Sequence, residues 1–147
     1  MAEDRVPLPV TLEPGASMPG YATEGAVGMD LRCLQAFQLD PMQRMAVPTG
    51  VRVAIPEGFE GQVRPRSGLA FKFGISIVNA PGTIDSDYRG EIKVLLINLG
   101  EDVVKFEQGE RIAQLVLCPV ARAHPVRVQE LEDTTRGEAG FGSTGRS

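Results

Sequence analysis

Short stretches of alternating polar and apolar residues, separated at close intervals by glycine, proline, asparagine or aspartate, restrict the fold of this chain more than any other feature. Residues 51–55, VRVAI, alternate strictly, which is the period-two pattern of a half-buried β-strand. Seventeen glycines and eleven prolines make up about a fifth of the 147 residues. That share ends each stretch early but is below the share typical of low-complexity sequence. The sequence therefore predicts an all-β fold of many short strands, arranged as a sandwich, a barrel or a jelly roll.

The same turn-forming residues predict where the strands and the helix lie. Strands are expected at residues 26–33, 51–55, 59–64, 75–78, 91–99, 103–106, 111–117 and 126–131. One short helix is expected at Ser67–Phe73, with Ser67 as its N-cap and Gly74 as its stop signal. Beyond position 132 the chain loses all periodicity and carries four glycines. We therefore predict a core domain over residues 1–132 and a flexible, glycine-rich tail over residues 133–147.

Charge and cysteine usage exclude several classes of function. The formal net charge is -4 and the isoelectric point is about 5.0, so the chain lacks the positive field that nucleic-acid polymers and anionic membranes require. No apolar run approaches the roughly 20 residues that span a bilayer. A single histidine, His124, leaves no partner for a histidine zinc site. Two cysteines and no secretory signal pattern predict a reduced, cytoplasmic protein.

Two segments carry groups that suit phosphate. Residues 65–70, PRSGLA, place an arginine, a hydroxyl and free backbone amides at the start of the expected helix, which is either an anion site or an ordinary capped turn. The tail sequence GFGSTG at residues 140–145 matches a dinucleotide fingerprint, but no helix follows it to receive the phosphate. Its glycine-rich backbone can still fold around an anion. A tail without function is the equally weighted alternative.

Residues 78–90, VNAPGTIDSDYRG, combine an amide side chain, a rigid turn and a glycine that permits close backbone approach. Such a combination suits recognition of the edge of a planar base. The acidic portion resembles the opening of a calcium loop, but Arg89 and Leu96 stand where oxygen ligands are required. Asp85 is therefore either a turn former in a hairpin or a catalytic carboxylate.

Two weaker candidates lie in predicted strands. In RIAQ at residues 111–114, Arg111 and Gln114 fall on opposite faces if the strand is regular, so one of them can reach a site. In GMDL at residues 28–31, Asp30 is a single acid in a strand. The alternative for Arg111 and Gln114 is a solvated strand end, and the alternative for Asp30 is an aspartate with its hydrogen bonds satisfied in an edge strand.

Taken together and in order, five segments resemble the motifs of the trimeric deoxyuridine triphosphate nucleotidohydrolases, or dUTPases. The segments are residues 26–31, 65–70, 78–90, 111–114 and 136–145. The resemblance implies a jelly-roll-like β-barrel subunit with one short helix and a homotrimer with shared active sites. It also implies hydrolysis of dUTP to dUMP and pyrophosphate, with Mg²⁺ bound mainly through the substrate phosphates. Such an activity limits uracil incorporation into DNA and supplies dUMP for dTMP synthesis.

The resemblance further implies roles for individual residues. Asp85 would orient and deprotonate the attacking water, and Asp30 would act near the metal through water. Tyr88 would pack under the deoxyribose and exclude a 2′-hydroxyl, while Asn79 would read the uracil edge. The remaining substrate-binding residues implied are Arg66, Ser67, Gly68 and Gln114 at the phosphates, Gly82, Thr83, Ile84 and Lys93 with the Asn79 hairpin, Arg136, Ser143 and Thr144 at the γ-phosphate, and Phe141 and Gly142 in the cap over uracil.

Two other functions compete with this one. A dCTP deaminase shares the fold by resemblance but must attack the base, and its sequences lack such a tail. A catalytically silent nucleotide sensor on the same scaffold is also consistent with the fold, because fold does not dictate function.

Overall fold

The computed structural model describes residues 5–147 and contains eleven strands and one helix within them. In chain order these elements are β1 Val10–Leu12, β2 Met29–Arg32, β3 Phe37–Leu39, β4 Arg44–Pro48, β5 Val51–Val53, β6 Phe59–Arg64, α1 Ser67–Phe73, β7 Ile75–Ile77, β8 Gly82–Ile84, β9 Lys93–Asn98, β10 Val104–Phe106 and β11 Arg111–Pro119. The predicted class, mostly β with one short helix, is confirmed.

All the strand pairings are antiparallel, and the described strands form four open sheets instead of one closed barrel. The largest sheet has the order β2-β11-β6-β8, and a three-stranded sheet has the order β4-β9-β7. The other two are the pairs β1-β5 and β3-β10. The closure implied by the expected barrel is therefore not present among these residues.

One apolar core joins the four sheets. The alternation seen in the sequence puts Val51 and Val53 inside and leaves Arg52 outside. Phe106 is buried and its ring stacks on Phe37 at a centroid distance of 4.5 Å. Burying a side chain of this size stabilises a fold by about 1.5–3 kcal/mol. A shared core of this kind makes the strands interdependent, although most of them are only three to six residues long.

The strand predictions succeed where alternation is clear. The strand expected at residues 59–64 is confirmed with the same bounds, and shorter strands lie within five of the other expected segments. The strand at residues 111–117 extends to Pro119. Four strands were not predicted, namely β1, β3, β4 and β8.

The strand expected at residues 126–131 is wrong. No helix or strand lies between Val120 and Ser147, and Val126, Val128 and Leu131 are exposed. A strand needs a neighbour for its backbone amides and carbonyls, and this segment has none in the described chain. The division into a core and a tail remains a prediction.

The helix has the predicted bounds but a different start. Arg66 occupies the N-cap position in an extended conformation without a side-chain capping bond, so the prediction of Ser67 as the cap is wrong. Ser67 is instead the first helical residue, because Arg66 is the last residue with extended backbone angles. Gly74 ends the helix at φ +70°, and its N–H donates to the Ala70 carbonyl at 3.0 Å. The stop signal is therefore confirmed.

Within residues 5–147, no helix has the length and apolar character needed to cross a membrane.

Candidate active site

The four-stranded sheet sets the spacing of the predicted site residues. Asp30 in β2 lies opposite Gln114 in β11, and Gln114 lies opposite Arg64 in β6. On the far side of β6, Val63 pairs with Gly82 in β8. Neighbouring strands are about 4.8 Å apart, so Asp30 and the Gly82 strand are separated by roughly 14 Å across three strand spacings.

A β-bulge places Arg111 and Gln114 on the same face of β11. Arg111 pairs with Arg32 and Ala113 pairs with Leu31, so Ile112 is an extra residue without a partner. Ile112 and Ala113 are both buried, which a regular alternation does not allow. The expectation that Arg111 and Gln114 face opposite sides is therefore wrong, because the strand is not regular at this point.

Three arginines lie on or near this face, and one of them contacts the Asp30 carboxylate. The Asp30 carboxylate lies 3.6 Å from the Arg111 guanidinium, and its side chain is only 11% exposed. The Arg66 guanidinium donates to the Arg111 carbonyl at 3.2 Å, and its buried Nε has no hydrogen-bond partner among the described residues. Arg32 donates to the Gly109 carbonyl at 2.8 Å. We call Arg32, Arg66 and Arg111 the basic cluster.

The surroundings of the basic cluster suit an anionic ligand. A cavity of about 220 Å³ is bordered by Asp30, Arg32 and Arg111, and one of about 360 Å³ is bordered by all three arginines. Guanidinium groups present planar forks of donors that match phosphate oxygens. The sequence pattern identified Arg66 and Arg111 but gave no reason to select Arg32, which joins the cluster only through strand pairing.

A third cavity, of about 230 Å³, lies beside β8 and brings together the core residues implied for the base and sugar. Its lining includes the predicted residues Asn79, Gly82, Thr83, Ile84, Tyr88 and Lys93. It is completed by Val63, Ile77, Glu91, Ile92 and Leu95, which the sequence analysis did not select. We call this cavity the hairpin pocket after the hairpin expected in residues 78–90, although β7 and β8 do not pair with each other and join different sheets. Its mixed polar and apolar walls suit a small molecule with an apolar ring face and a polar edge.

Two glycines permit close packing at the hairpin pocket, Gly82 in its wall and Gly90 against the Tyr88 ring. A Cβ at Gly82 would lie 3.3 Å from Val63 Cβ and 3.4 Å from Asn79 Nδ2, so the absence of a side chain lets the strand approach both. A Cβ at Gly90 would overlap the ring of Tyr88. The Tyr88 hydroxyl donates to the Glu91 carbonyl at 2.9 Å. The position of the ring therefore depends on glycine at residue 90.

Asp85 follows β8 directly and is exposed at a turn in which the Tyr88 N–H donates to the Asp85 carbonyl at 3.2 Å. Within residues 5–147 its carboxylate takes part in no hydrogen bond or ion pair. A carboxylate with free oxygen lone pairs at the mouth of a pocket can accept a proton from water.

The other predicted residues lie away from these three cavities. Ser67 borders a shallow groove with Arg64 and Pro81, and Gly68 at the start of α1 has open space around it. In the tail, Arg136 donates to the Ala139 carbonyl at 2.8 Å and the Ser143 N–H donates to the Gly140 carbonyl at 3.1 Å. The tail residues expected at the site, Arg136, Phe141, Gly142, Ser143 and Thr144, are exposed in these local turns. Within one chain, the predicted site residues therefore lie in three separate groups. One is at the basic cluster, one is in the hairpin pocket and one is in the tail.

The donor set suits a hard cation that brings its own ligands. Within the described residues, no group of three or more histidine, cysteine, aspartate or glutamate side chains is placed to hold a metal. Asp30 and Asp85 still offer carboxylate oxygens, which Mg²⁺ prefers, and Mg²⁺ commonly keeps waters and binds substrate phosphates. The residues therefore fit a magnesium ion held mainly by a phosphate ligand.

Cys33 does not supply a nucleophile. Its side chain is 2% exposed and its thiol donates to the Glu107 carbonyl at 3.0 Å. Burial raises the pKa of the Cys33 thiol above its ordinary value. Since the thiolate is the reactive form, Cys33 acts as a core residue.

A pocket that suits a base and sugar, in the same chain as a guanidinium cluster that suits phosphate, defines a nucleotide-binding protein of the all-β class. A family model described as dUTPase matches residues 15–145. The chain therefore belongs to the dUTPase family.

Individual relatives agree with this assignment. A deoxyuridine 5'-triphosphate nucleotidohydrolase of Anaeromyxobacter sp. is 52% identical over 95% of this chain and 100% of its own length. The corresponding protein of Zymomonas mobilis is 58% identical over 89% of this chain and 91% of its own. A mutant dUTPase of Staphylococcus bacteriophage 80alpha, solved with dUpNHpp, superposes with a TM-score of 0.89 at 30% identity, covering 95% of this chain and 99% of that chain.

A more distant structure shares the fold. It is an aspartate-to-asparagine mutant dUTPase of phage phi11 of S. aureus, at 24% identity and a TM-score of 0.80, covering 87% of this chain and 100% of that chain. A structural Mg(II) ion is described in that protein.

Replacing Gly90 by alanine is expected to displace the Tyr88 ring and break its hydrogen bond to the Glu91 carbonyl, at a cost of about 1 kcal/mol in the free energy of unfolding. Gly25→Ala is the matched control, because a Cβ at Gly25 meets nothing within 4 Å. Urea unfolding of both variants and the unchanged protein measures the difference. Equal stability of Gly90→Ala and Gly25→Ala would show that the ring does not depend on Gly90.

Proposed function

We propose that this protein hydrolyses dUTP to dUMP and pyrophosphate. The observation that carries the proposal is that the residues implied for base and sugar recognition within residues 79–93 line one cavity, the hairpin pocket. The family match extends over most of the chain and includes the tail. Relatives named as deoxyuridine 5'-triphosphate nucleotidohydrolases exceed half identity. These relatives favour dUTP hydrolysis over a deaminase or a silent sensor.

In this proposal the hairpin pocket selects the nucleoside. Asn79 and the backbone of β8 bond the uracil edge, and the close packing around Gly82 leaves no space for a 5-methyl group. The Tyr88 ring packs under the deoxyribose and excludes a 2′-hydroxyl. Thr83, Ile84 and Lys93 complete the walls.

The phosphates are held by the residues on and near the basic cluster. Arg66 and Gln114, with Ser67 and the open backbone of Gly68, neutralise and orient the triphosphate. Displacement at phosphorus is catalysed mainly by positioning and by stabilising charge that moves to the leaving group. Asp30 and the phosphate oxygens would hold Mg²⁺, Asp30 through water, and the ion supplies further neutralisation of that charge.

Asp85 acts as the general base. It accepts a proton from a water molecule whose oxygen attacks the α-phosphorus, and the bond from that phosphorus to the bridging oxygen of the β-phosphate breaks. Pyrophosphate leaves with the electron pair of that bond. The exposed, unpaired carboxylate of Asp85 beside the pocket supports this role.

We further propose a homotrimer in which each active site draws on three subunits. The basic cluster side, the hairpin pocket and the tail lie in separate places within one chain. A closed threefold ring brings different surfaces of neighbouring subunits together at three equivalent sites. In this assembly residues 1–132 form the core and residues 133–147 close a neighbouring site, with Phe141 and Gly142 over the uracil and Arg136, Ser143 and Thr144 at the γ-phosphate.

The cellular role follows from the reaction. Removing dUTP limits uracil incorporation into DNA, and the dUMP formed supplies dTMP synthesis. Both cysteines are free, which supports a cytoplasmic location.

The proposed activity predicts Mg²⁺-dependent release of pyrophosphate from dUTP, with UTP, dTTP and dCTP much poorer substrates. Tyr88 and the Asn79 hairpin exclude the 2′-hydroxyl, the 5-methyl group and the wrong base edge. Pyrophosphate assays with each nucleotide, with and without a chelator, make the test. Release of ammonia from dCTP would instead identify a deaminase, and binding of dUTP without turnover would identify a sensor.

Asp85→Asn is expected to lower kcat for dUTP by roughly 10²–10⁴-fold, because the amide keeps the size and polarity of the side chain but cannot take the proton. Binding of dUMP should persist, as measured by calorimetry. Asp87→Asn, two residues along the same exposed turn, is the matched control. A near-normal kcat in Asp85→Asn would place the base elsewhere.

Mixed trimers test the shared site. Asp85→Asn subunits keep the tail, and subunits ending at Glu132 keep Asp85, so each parent alone should be nearly inactive. After co-refolding in equal amounts, about a quarter of the sites in a random closed ring should receive both an intact Asp85 and an intact tail. Activity is compared with that of the two parents refolded separately and then combined. No recovery in trimers shown to be mixed would mean that one subunit supplies both elements.

A further inference from the structure

The Thr49–Gly50 turn joins β4 to β5 behind the hairpin pocket, and its threonine is one of the few polar residues in the interior. The Thr49 side chain is 1% exposed. Its hydroxyl donates to the Ile92 carbonyl at 2.6 Å and accepts from the Val51 N–H at 3.2 Å. Both hydrogen-bonding functions of the hydroxyl are therefore used, and one of them fixes a residue that lines the pocket.

The same turn also holds Glu91, the residue before Ile92, through the Glu91 side chain. The Gly50 N–H donates to Oε2 of Glu91 at 2.9 Å, and the Ile92 N–H donates to the Val51 carbonyl at 2.8 Å. Gly50 adopts φ +70°, and a Cβ there would lie 2.8 Å from the Ala16 Cβ. This site therefore requires glycine. Three consecutive residues, 49–51, thus hold residues 91 and 92 by hydrogen bonds, and none of the three lines the pocket.

Residues 91 and 92 are also part of the hairpin pocket. Both line it, and the Glu91 carbonyl accepts the hydrogen bond from the Tyr88 hydroxyl at 2.9 Å. Tyr88 is 44% exposed, so packing holds its ring only in part. The orientation of the ring consequently depends on where the Glu91 carbonyl lies, and the Thr49–Gly50 turn sets that position.

We propose that Thr49 and Glu91 are positioning residues that set the Tyr88 ring and thereby the preference for a deoxyribose over a ribose. The inference rests on the proposed function, since it concerns the sugar of the nucleotide bound in the hairpin pocket. Neither side chain needs to touch the reacting atoms. The effect passes through the hydrogen bonds from Thr49 to Ile92, from Gly50 to Glu91 and from Tyr88 to Glu91.

The test compares kcat/KM for dUTP with kcat/KM for UTP in a set of variants of the full chain. Glu91→Ala removes the carboxylate held by Gly50, whereas Glu91→Gln keeps an oxygen acceptor there. Thr49→Val keeps the volume of the side chain and removes the hydroxyl. Thr11→Val is the control, since Thr11 is an exposed threonine in β1.

The preference for dUTP, measured as kcat/KM for dUTP divided by kcat/KM for UTP, is expected to fall by about three- to tenfold in Glu91→Ala and in Thr49→Val. This is the change that loss of one hydrogen bond produces. Glu91→Gln should stay within about twofold of the unchanged protein, because the acceptor is retained. Tyr88→Phe should lower the ratio by itself, and adding Glu91→Ala to Tyr88→Phe should lower it little further, as expected of residues acting through one contact.

An unchanged ratio in Glu91→Ala would overturn the proposal, even if urea unfolding showed lower stability, because a purely structural role lowers stability without altering sugar preference. An equal fall in Thr11→Val would overturn it as well. If Thr49→Val does not fold, the comparison of Glu91→Ala with Glu91→Gln is sufficient to test the proposal. If the unchanged protein itself does not prefer dUTP to UTP, the proposed function is wrong, and that outcome is distinct from an unchanged ratio in the variants.

Discussion

The antiparallel pairing of β11 with both β2 and β6 is the interaction on which the rest of the site depends. β11 is the longest strand, Arg111–Pro119, and it lies in the interior of the largest sheet. Its buried side chains, among them Leu115, belong to the core, while Arg111 at its start borders the arginine cavities. The register of β11 with its two neighbours therefore sets both the packing of the core and the position of the charged side chain outside it. A slip of one residue would exchange the two faces along the strand.

Charge is distributed unevenly over this sheet. Asp30 lies at one edge with the Arg111 guanidinium beside it, and the pocket at the other edge is lined mainly by apolar and uncharged groups, with Glu91 and Lys93 as its charged members. The chain as a whole is acidic. A local concentration of arginine in an acidic protein attracts a small polyanion without creating a surface that retains nucleic acid.

The sequence was most informative where local chemistry decides the structure. Turn-forming residues on either side predicted β6 at residues 59–64 with the bounds that the structure shows, and Gly74 ends the helix because a left-handed backbone favours glycine. The same signal was misleading in residues 126–131, where a strand was predicted but no strand lies alongside. β8 was missed because it begins with glycine directly after a proline, a pair that is typical of turns.

The candidate site divides in the same way. Residues close in sequence, such as those of the hairpin pocket, could be grouped from their motif. The contribution of Arg32 could not, because it depends on pairing with a strand almost eighty positions away. Glu91 was missed for a related reason: its carboxylate bonds to a backbone N–H of Gly50, which no motif of residues 78–90 indicates.

The bulge at Ile112 separates two demands that a regular strand would couple. Arg111 and Gln114 remain opposite Arg32 and Asp30, while Ile112 contributes a large side chain to the interior beside the small Ala113. The volume of the core at this point can therefore drift, for example from isoleucine to valine or leucine, without altering the spacing of the outward pair. In evolutionary terms, the extra residue gives the interior and the surface of β11 independent freedom to change.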